Sequence, residues 1–249
     1  MKFIKLILVL IVFFISLFLY KNIFKIKTVD IQSEKVDCAD NLQIKNSTNF
    51  LGQNIFLTNK NSVELDFKKK FICIKEINLS KKIPGKIILK ILGREAKATV
   101  YEASPSAQAT PSGFLVDDEG VIFSKDSNSE LNPKIFIENS NLSLGKNLPV
   151  IKQVLLALDK IGKFGLDNKI SQILNNSLII FSSPKIVFQL DDKIDSQIAS
   201  LQLILEKAKI NRRTIPTDVG MDSEIFEFID LRFDKPVIKI APKNSYGQR

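Results

Sequence analysis

Histidine and tryptophan are absent from the 249 residues, and the first absence removes much of the enzyme chemistry available near neutral pH. Without imidazole there is no Ser-His-Asp triad, no Cys-His pair and no His-ligated zinc. Cysteine is scarce as well, with Cys38 and Cys73 alone. Two thiols without histidine do not make a zinc site, and their spacing is not C-x-x-C. In an oxidising compartment they are candidates for a disulfide across about 34 intervening residues, worth about 3–4 kcal/mol in the chain-entropy model. The alternative is a pair of small buried thiols. These shortages point away from an enzyme, and no catalytic residue, metal ligand or cofactor is expected.

Asp117, Asp118 and Glu119 with Gly120 gather three carboxylates, which invites a metal or acid-base reading. The spacing of a calcium-binding EF-hand is missing, and a tight turn between the apolar triplets 114–116 and 121–123 explains the cluster better.

Charge is unevenly placed along the chain. The net excess is +9; residues 21–95 carry 15 basic and 8 acidic side chains, whereas residues 96–249 carry 19 of each. The soluble excess therefore lies beside a single apolar run at residues 4–20, broken only by Lys5 and Ser16. Solvated faces, a partner or an anionic lipid surface all account for the excess. Nucleic acid is not expected, since Lys68-Lys69-Lys70 and Lys81-Lys82 lack a motif and aromatic interleaving.

As a helix the apolar run spans roughly 25 Å. Lysines at its ends can reach toward the headgroups. No small-x-small cleavage pattern follows Tyr20, so residues 1–21 are expected to be a cytoplasmic tail and retained transmembrane anchor rather than a cleaved signal peptide. The remainder is then placed outside the cytoplasm, because long domains cross with little regard to charge.

Beyond this run, residues 22–95 read as β-α-α-β-β. An extended segment starts near Ile26, helices follow over 38–51 and 59–70 with Thr58 as a cap, and two β-rich runs flank a turn at Pro84-Gly85. Residues 96–241 read as a mostly antiparallel β domain with two helices, at 149–163 and 195–208. Pro149 suits a first helical turn. The polar insert at 103–113 has the composition of a mobile loop, and residues 242–249 that of a disordered tail. The last folded stretch alternates Ile229, Leu231 and Phe233 against Asp230, Arg232 and Asp234, the period of a strand with one wet face. A strand so close to the end of the sequence is a candidate open edge, and open edges accept partner strands. The fold class expected overall is α+β, with one N-terminal transmembrane helix.

Several motifs occur in the order found in the FtsQ/DivIB family of bacterial cell-division proteins, which the chain resembles over nearly its whole length. Gly52-Gln53-Asn54-Ile55-Phe56 is similar to the turn between the two helices of that family's POTRA domain, and Ile83-Pro84 with residues 87–91 is similar to its hairpin. Arg94 and Ala98 fit the junction into the β domain, whereas Gly93 and Ala96 do not. Leu115-Val116-Asp117 with Gly120 and Phe123 resembles the L-V-D-x-x-G-x-x-F hairpin, and Ile229-Asp230-Leu231-Arg232-Phe233 resembles the terminal I-D-L-R-aromatic strand.

The resemblance implies a non-enzymatic scaffold of the division machinery at the plasma membrane. It would bind FtsB (DivIC) and FtsL during septum assembly alongside other membrane proteins of the divisome. Ile229, Leu231, Arg232 and Phe233 would contact the partner. The competing expectation is a POTRA-bearing envelope component that handles exported polypeptides. Further POTRA copies or an outer-membrane barrel would favour that alternative, and the sequence has neither.

Overall fold

A computed structural model of the chain describes residues 7, 10–11, 23–36, 38–103, 113–126, 131–138, 141–214 and 226–240. It divides into two compact units, residues 1–95 and 96–249.

In the first unit, strand β1 (Thr28–Glu34) is followed by helices α1 (Asn41–Asn46) and α2 (Lys60–Lys70), then by β2 (Ile74–Lys82) and β3 (Lys86–Gly93). The strands form a sheet in the order β1-β3-β2, with β1 parallel and β2 antiparallel to β3. The parallel neighbours are β1 and β3, and the chain between them, α1, α2 and β2, is the long crossover that such a pair needs. On β3, Ile87, Leu89 and Ile91 are buried while Ile88, Lys90 and Leu92 turn outward, so one face of the sheet is apolar. Ile44 of α1 and Val63 and Phe67 of α2 supply the helical side of the core.

Helix α1 is shorter than the expected 38–51. A capping box at Asp40 and Gln43 starts it, with the Asp40 carboxylate accepting the Gln43 N–H at 2.6 Å. Asn59 rather than Thr58 caps α2 by accepting the Asn61 N–H, and the three lysines of its last turn oppose the negative helix end. A disulfide joins Cys38 to Cys73, with the Cα atoms 6.1 Å apart.

The second unit holds a nine-stranded sheet. Its strands are β4 (Ala98–Ala103), β5 (Gly113–Val116), β6 (Ile122–Asp126), β7 (Lys134–Glu138), β8 (Ile170–Leu174), β9 (Ser177–Ile180), β10 (Lys185–Gln189), β11 (Phe226–Asp230) and β12 (Val237–Ile240). Helix α3 (Pro149–Lys163) lies between β7 and β8, and α4 (Ile194–Thr214) between β10 and β11. The spatial order is β12-β11-β10-β9-β8-β7-β4-β5-β6.

Two parts of the expected fold class are corrected. The sheet is mixed rather than mostly antiparallel, because β4/β7, β7/β8 and β10/β11 pair in parallel. The second and third of these pairs each enclose a helix, and a β-helix-β crossover between neighbours returns the strand in the same direction. In addition, no helix among the described residues is long and apolar enough to cross a membrane. Even α4, with 21 residues, includes six charged ones, so the fold as described contains no transmembrane helix. Most of the apolar run at 4–20 lies outside the described residues, as do residues 104–112 of the polar insert and the tail 242–249.

Helix α3 explains why the sheet has a closed face. Its buried residues Ile151, Val154, Ala157, Leu158 and Ile161 recur every three or four positions, so one stripe meets the sheet. Ile135, Leu178, Ile180, Ile186 and Phe188 from the strands join the same core. Two hairpins set the register. Asn175 and Asn176 both take positive φ between β8 and β9, the conformation of a type I′ turn. Between β5 and β6, Asp117 is fully buried and its Oδ1 accepts the N–H groups of Glu119 at 3.0 Å and Val121 at 2.9 Å. The carboxylate cluster at 117–119 is thus the turn of a hairpin. Gly120 closes it at φ +83°, where an added Cβ would collide with the Leu148 carbonyl oxygen.

Candidate partner-binding edge

The strand expected over residues 226–233 ends at Asp230, and β12 continues the sheet beyond it. β11 runs parallel to β10, with Ile229 opposite Ile186 and the Leu231 N–H donating to the Val187 carbonyl at 2.8 Å. Ile229 and Leu231 are both buried in the sheet's core. These two side chains hold the strand in place rather than face solvent.

The chain then bends over residues 231–236 before β12 returns antiparallel to β11, pairing Asp230 with Val237, Ile229 with Ile238 and Phe226 with Ile240. Pro236 immediately precedes the strand, where its missing donor costs no ladder bond. The bend is braced by a buried carboxylate. Asp230 Oδ1 accepts the backbone N–H of Arg232 at 3.1 Å and its Nε–H at 3.0 Å, while Oδ2 accepts a guanidinium N–H at 2.6 Å. Burial acts to raise the carboxyl's proton affinity. The hydrogen bonds and charge of Arg232 outweigh it and hold Asp230 below the usual carboxylate range. The same partner raises the Arg232 guanidinium above its ordinary value, chiefly through the side-chain hydrogen bond. Both groups stay charged and engaged with each other, which leaves them poorly suited to proton transfer.

Past this brace the surface is apolar and open. Phe233 is 58% exposed, with the Arg232 guanidinium carbon 5.7 Å from its ring centroid, within reach of a cation–π contact. All four residues of β12 are exposed, and Val237, Ile238 and Ile240 are large hydrophobics. Lys239 is paired with Glu227 of β11 at 2.9 Å. β12 is last in the sheet order, so its outer side presents backbone donors and acceptors with no strand beside them among the described residues.

The structure therefore divides the four residues singled out in the sequence. Ile229 and Leu231 are interior, Arg232 braces the bend, and Phe233 reaches the surface next to the edge. Val237, Ile238 and Ile240 were missed as surface residues. The signal available was three β-branched apolar residues in four positions following a proline, a strand signature obscured by its shortness and its place beside the sequence's end. Among the described residues, no group of three or more Cys, Asp or Glu side chains is arranged to hold a metal ion. No family model matches the chain, and no curated protein matches it.

Proposed function

We propose that the chain is a non-enzymatic scaffold of the bacterial division machinery, of the FtsQ/DivIB kind. It works outside the cytoplasm at the division site and receives an extended segment of FtsB/DivIC along the outer side of β12, with FtsL in the same assembly. The observation that carries the proposal is the exposed apolar edge formed by Val237, Ile238, Ile240 and Phe233 directly after the Ile229-Asp230-Leu231-Arg232 motif. Soluble proteins blunt such edges with charge, proline or a covering element, and an apolar edge left open is suited to a partner strand. Main-chain pairing supplies affinity there and the alternate side chains supply selection. The Cys38–Cys73 disulfide supports an oxidising compartment.

The test is conditional depletion with imaging of cell shape, together with a fluorescent fusion of the full chain. The expected outcome is filamentous cells and a fusion concentrated at the division site. Normal division with accumulation of unfolded exported proteins would favour the envelope transport reading instead.

A further inference from the structure

At the start of β1, three segments of the first unit converge. The Ile26 N–H donates to the Gln53 carbonyl at 2.8 Å and the Lys27 N–H to the Gly85 carbonyl at 2.7 Å, which gathers residues 23–27, the α1–α2 loop and the β2–β3 turn at one end. Strand register places Thr28 beside Lys86, and Lys86 opposite Lys82. Lys25, Lys27, Lys60, Lys81, Lys82 and Lys86 are all exposed at this end. The sequence of the three segments, 23–30, 45–60 and 80–88, contains one acid, Asp30, which pairs with Lys86 at 3.4 Å. The same end also projects apolar side chains: Leu57 is 82% exposed, and Leu51, Phe56 and Ile83 are likewise on the surface. The Phe24 and Phe56 rings meet edge-on at 5.1 Å and tie the loop to the entering chain.

We infer that this end of the first unit docks on an anionic lipid bilayer, with Leu51, Phe56, Leu57 and Ile83 entering the headgroup boundary and the lysines facing lipid phosphates. Single exposed leucines are ordinary. Apolar tips ringed by unbalanced lysines are the pattern of a membrane-surface contact, in which apolar burial and attraction to anionic headgroups add. Charge selects the occupant: only Asp30 stands against the lysines of the three segments, and anionic headgroups complement the excess while the acyl boundary takes the apolar tips. A nucleic acid would satisfy the lysines but not the protruding aliphatic chains. The inference goes beyond the division reading, because it depends on the first unit alone and holds or fails whatever binds at β12.

The absence of tryptophan supplies the test. Leu57→Trp in the full chain gives a single reporter at the proposed contact, and Glu34→Trp gives a control at the other end of β1, about 20 Å away along the strand. Both are placed in phosphatidylcholine vesicles with or without phosphatidylglycerol, with brominated lipid as quencher. The expected result is a blue-shifted, quenched Leu57→Trp emission that strengthens with phosphatidylglycerol, and an unquenched Glu34→Trp. Adding Lys81→Glu and Lys82→Glu should shift the docking equilibrium away from the surface by at least about fivefold per lysine, since each reversal removes one attraction and adds a repulsion. Equal quenching at the two positions would overturn the inference. So would indifference of the Leu57→Trp signal to lipid charge and to the two lysine reversals.

Discussion

Replacing Asp230 by Asn tests whether the bend between β11 and β12 is held by charge. The carboxylate is 6% exposed and accepts the Arg232 backbone N–H and two guanidinium N–H groups, whereas the Arg232 side chain is 39% exposed. A fully buried pair broken on one side costs about 3–5 kcal/mol. Solvent reaches Arg232 and can rehydrate it, and the amide oxygen of Asn keeps one acceptor, so about 1–2 kcal/mol is expected here. Because the folded-state proton affinity of Asp230 is lowered, its contribution is present above the unfolded value near 4 and is lost as pH falls through the folded one. The assay is the protection of the Leu231 amide, whose N–H donates to Val187. Protection should fall about 5- to 30-fold at pH 7 in the variant, and the gap from the natural chain should narrow toward pH 3. A variant within about twofold of the natural chain at pH 7, or a gap that does not change with pH, would refute the charge-based account of the bend.

Other expectations concern parts that support the edge and the first unit. Phe188→Ala removes a fully buried aromatic side chain from β10 and should destabilise the second unit by about 3–5 kcal/mol in urea unfolding. Gly120→Ala puts a Cβ against the Leu148 carbonyl at positive φ; a loss above about 1 kcal/mol is expected, and a neutral result would show that the hairpin turn relaxes. Cys38→Ser opens a link spanning 35 positions and should cost about 3–4 kcal/mol in the first unit, measured against the natural chain with and without reductant.

Helix α3 was legible because three signals coincide: Pro149 at its start, a three-to-four spacing of apolar residues, and a length sufficient for four turns. The turn at 117–120 was legible for the same kind of reason, since Asp-Asp-Glu-Gly between two apolar triplets has the residues and spacing of a tight hairpin turn; burial of Asp117 and the positive φ of Gly120 came from the structure. Parallel pairing was not legible. Strands β7, β8, β10 and β11 look the same in sequence whichever direction their neighbours run, and the clue lay in the helices between them rather than in the strands. The edge was half legible. Alternation through Ile229, Leu231 and Phe233 marked an apolar stretch, but periodicity does not reveal that the carboxylate of Asp230 turns back to Arg232 and ends the strand. Nor does it show which strand lies outermost, a property of long-range order rather than local pattern.

Hydrogen exchange of the full chain, with and without the FtsB/DivIC homologue from the same cells, tests the central claim most directly. A strand added to the edge converts exposed backbone donors of β12 into hydrogen-bonded ones. The account predicts new protection concentrated at residues 237–240, weakened when Phe233→Glu places a charge beside the contact while Leu231 retains its own protection. Tight binding with protection confined to residues 23–95, and unchanged exchange across β12, would contradict it.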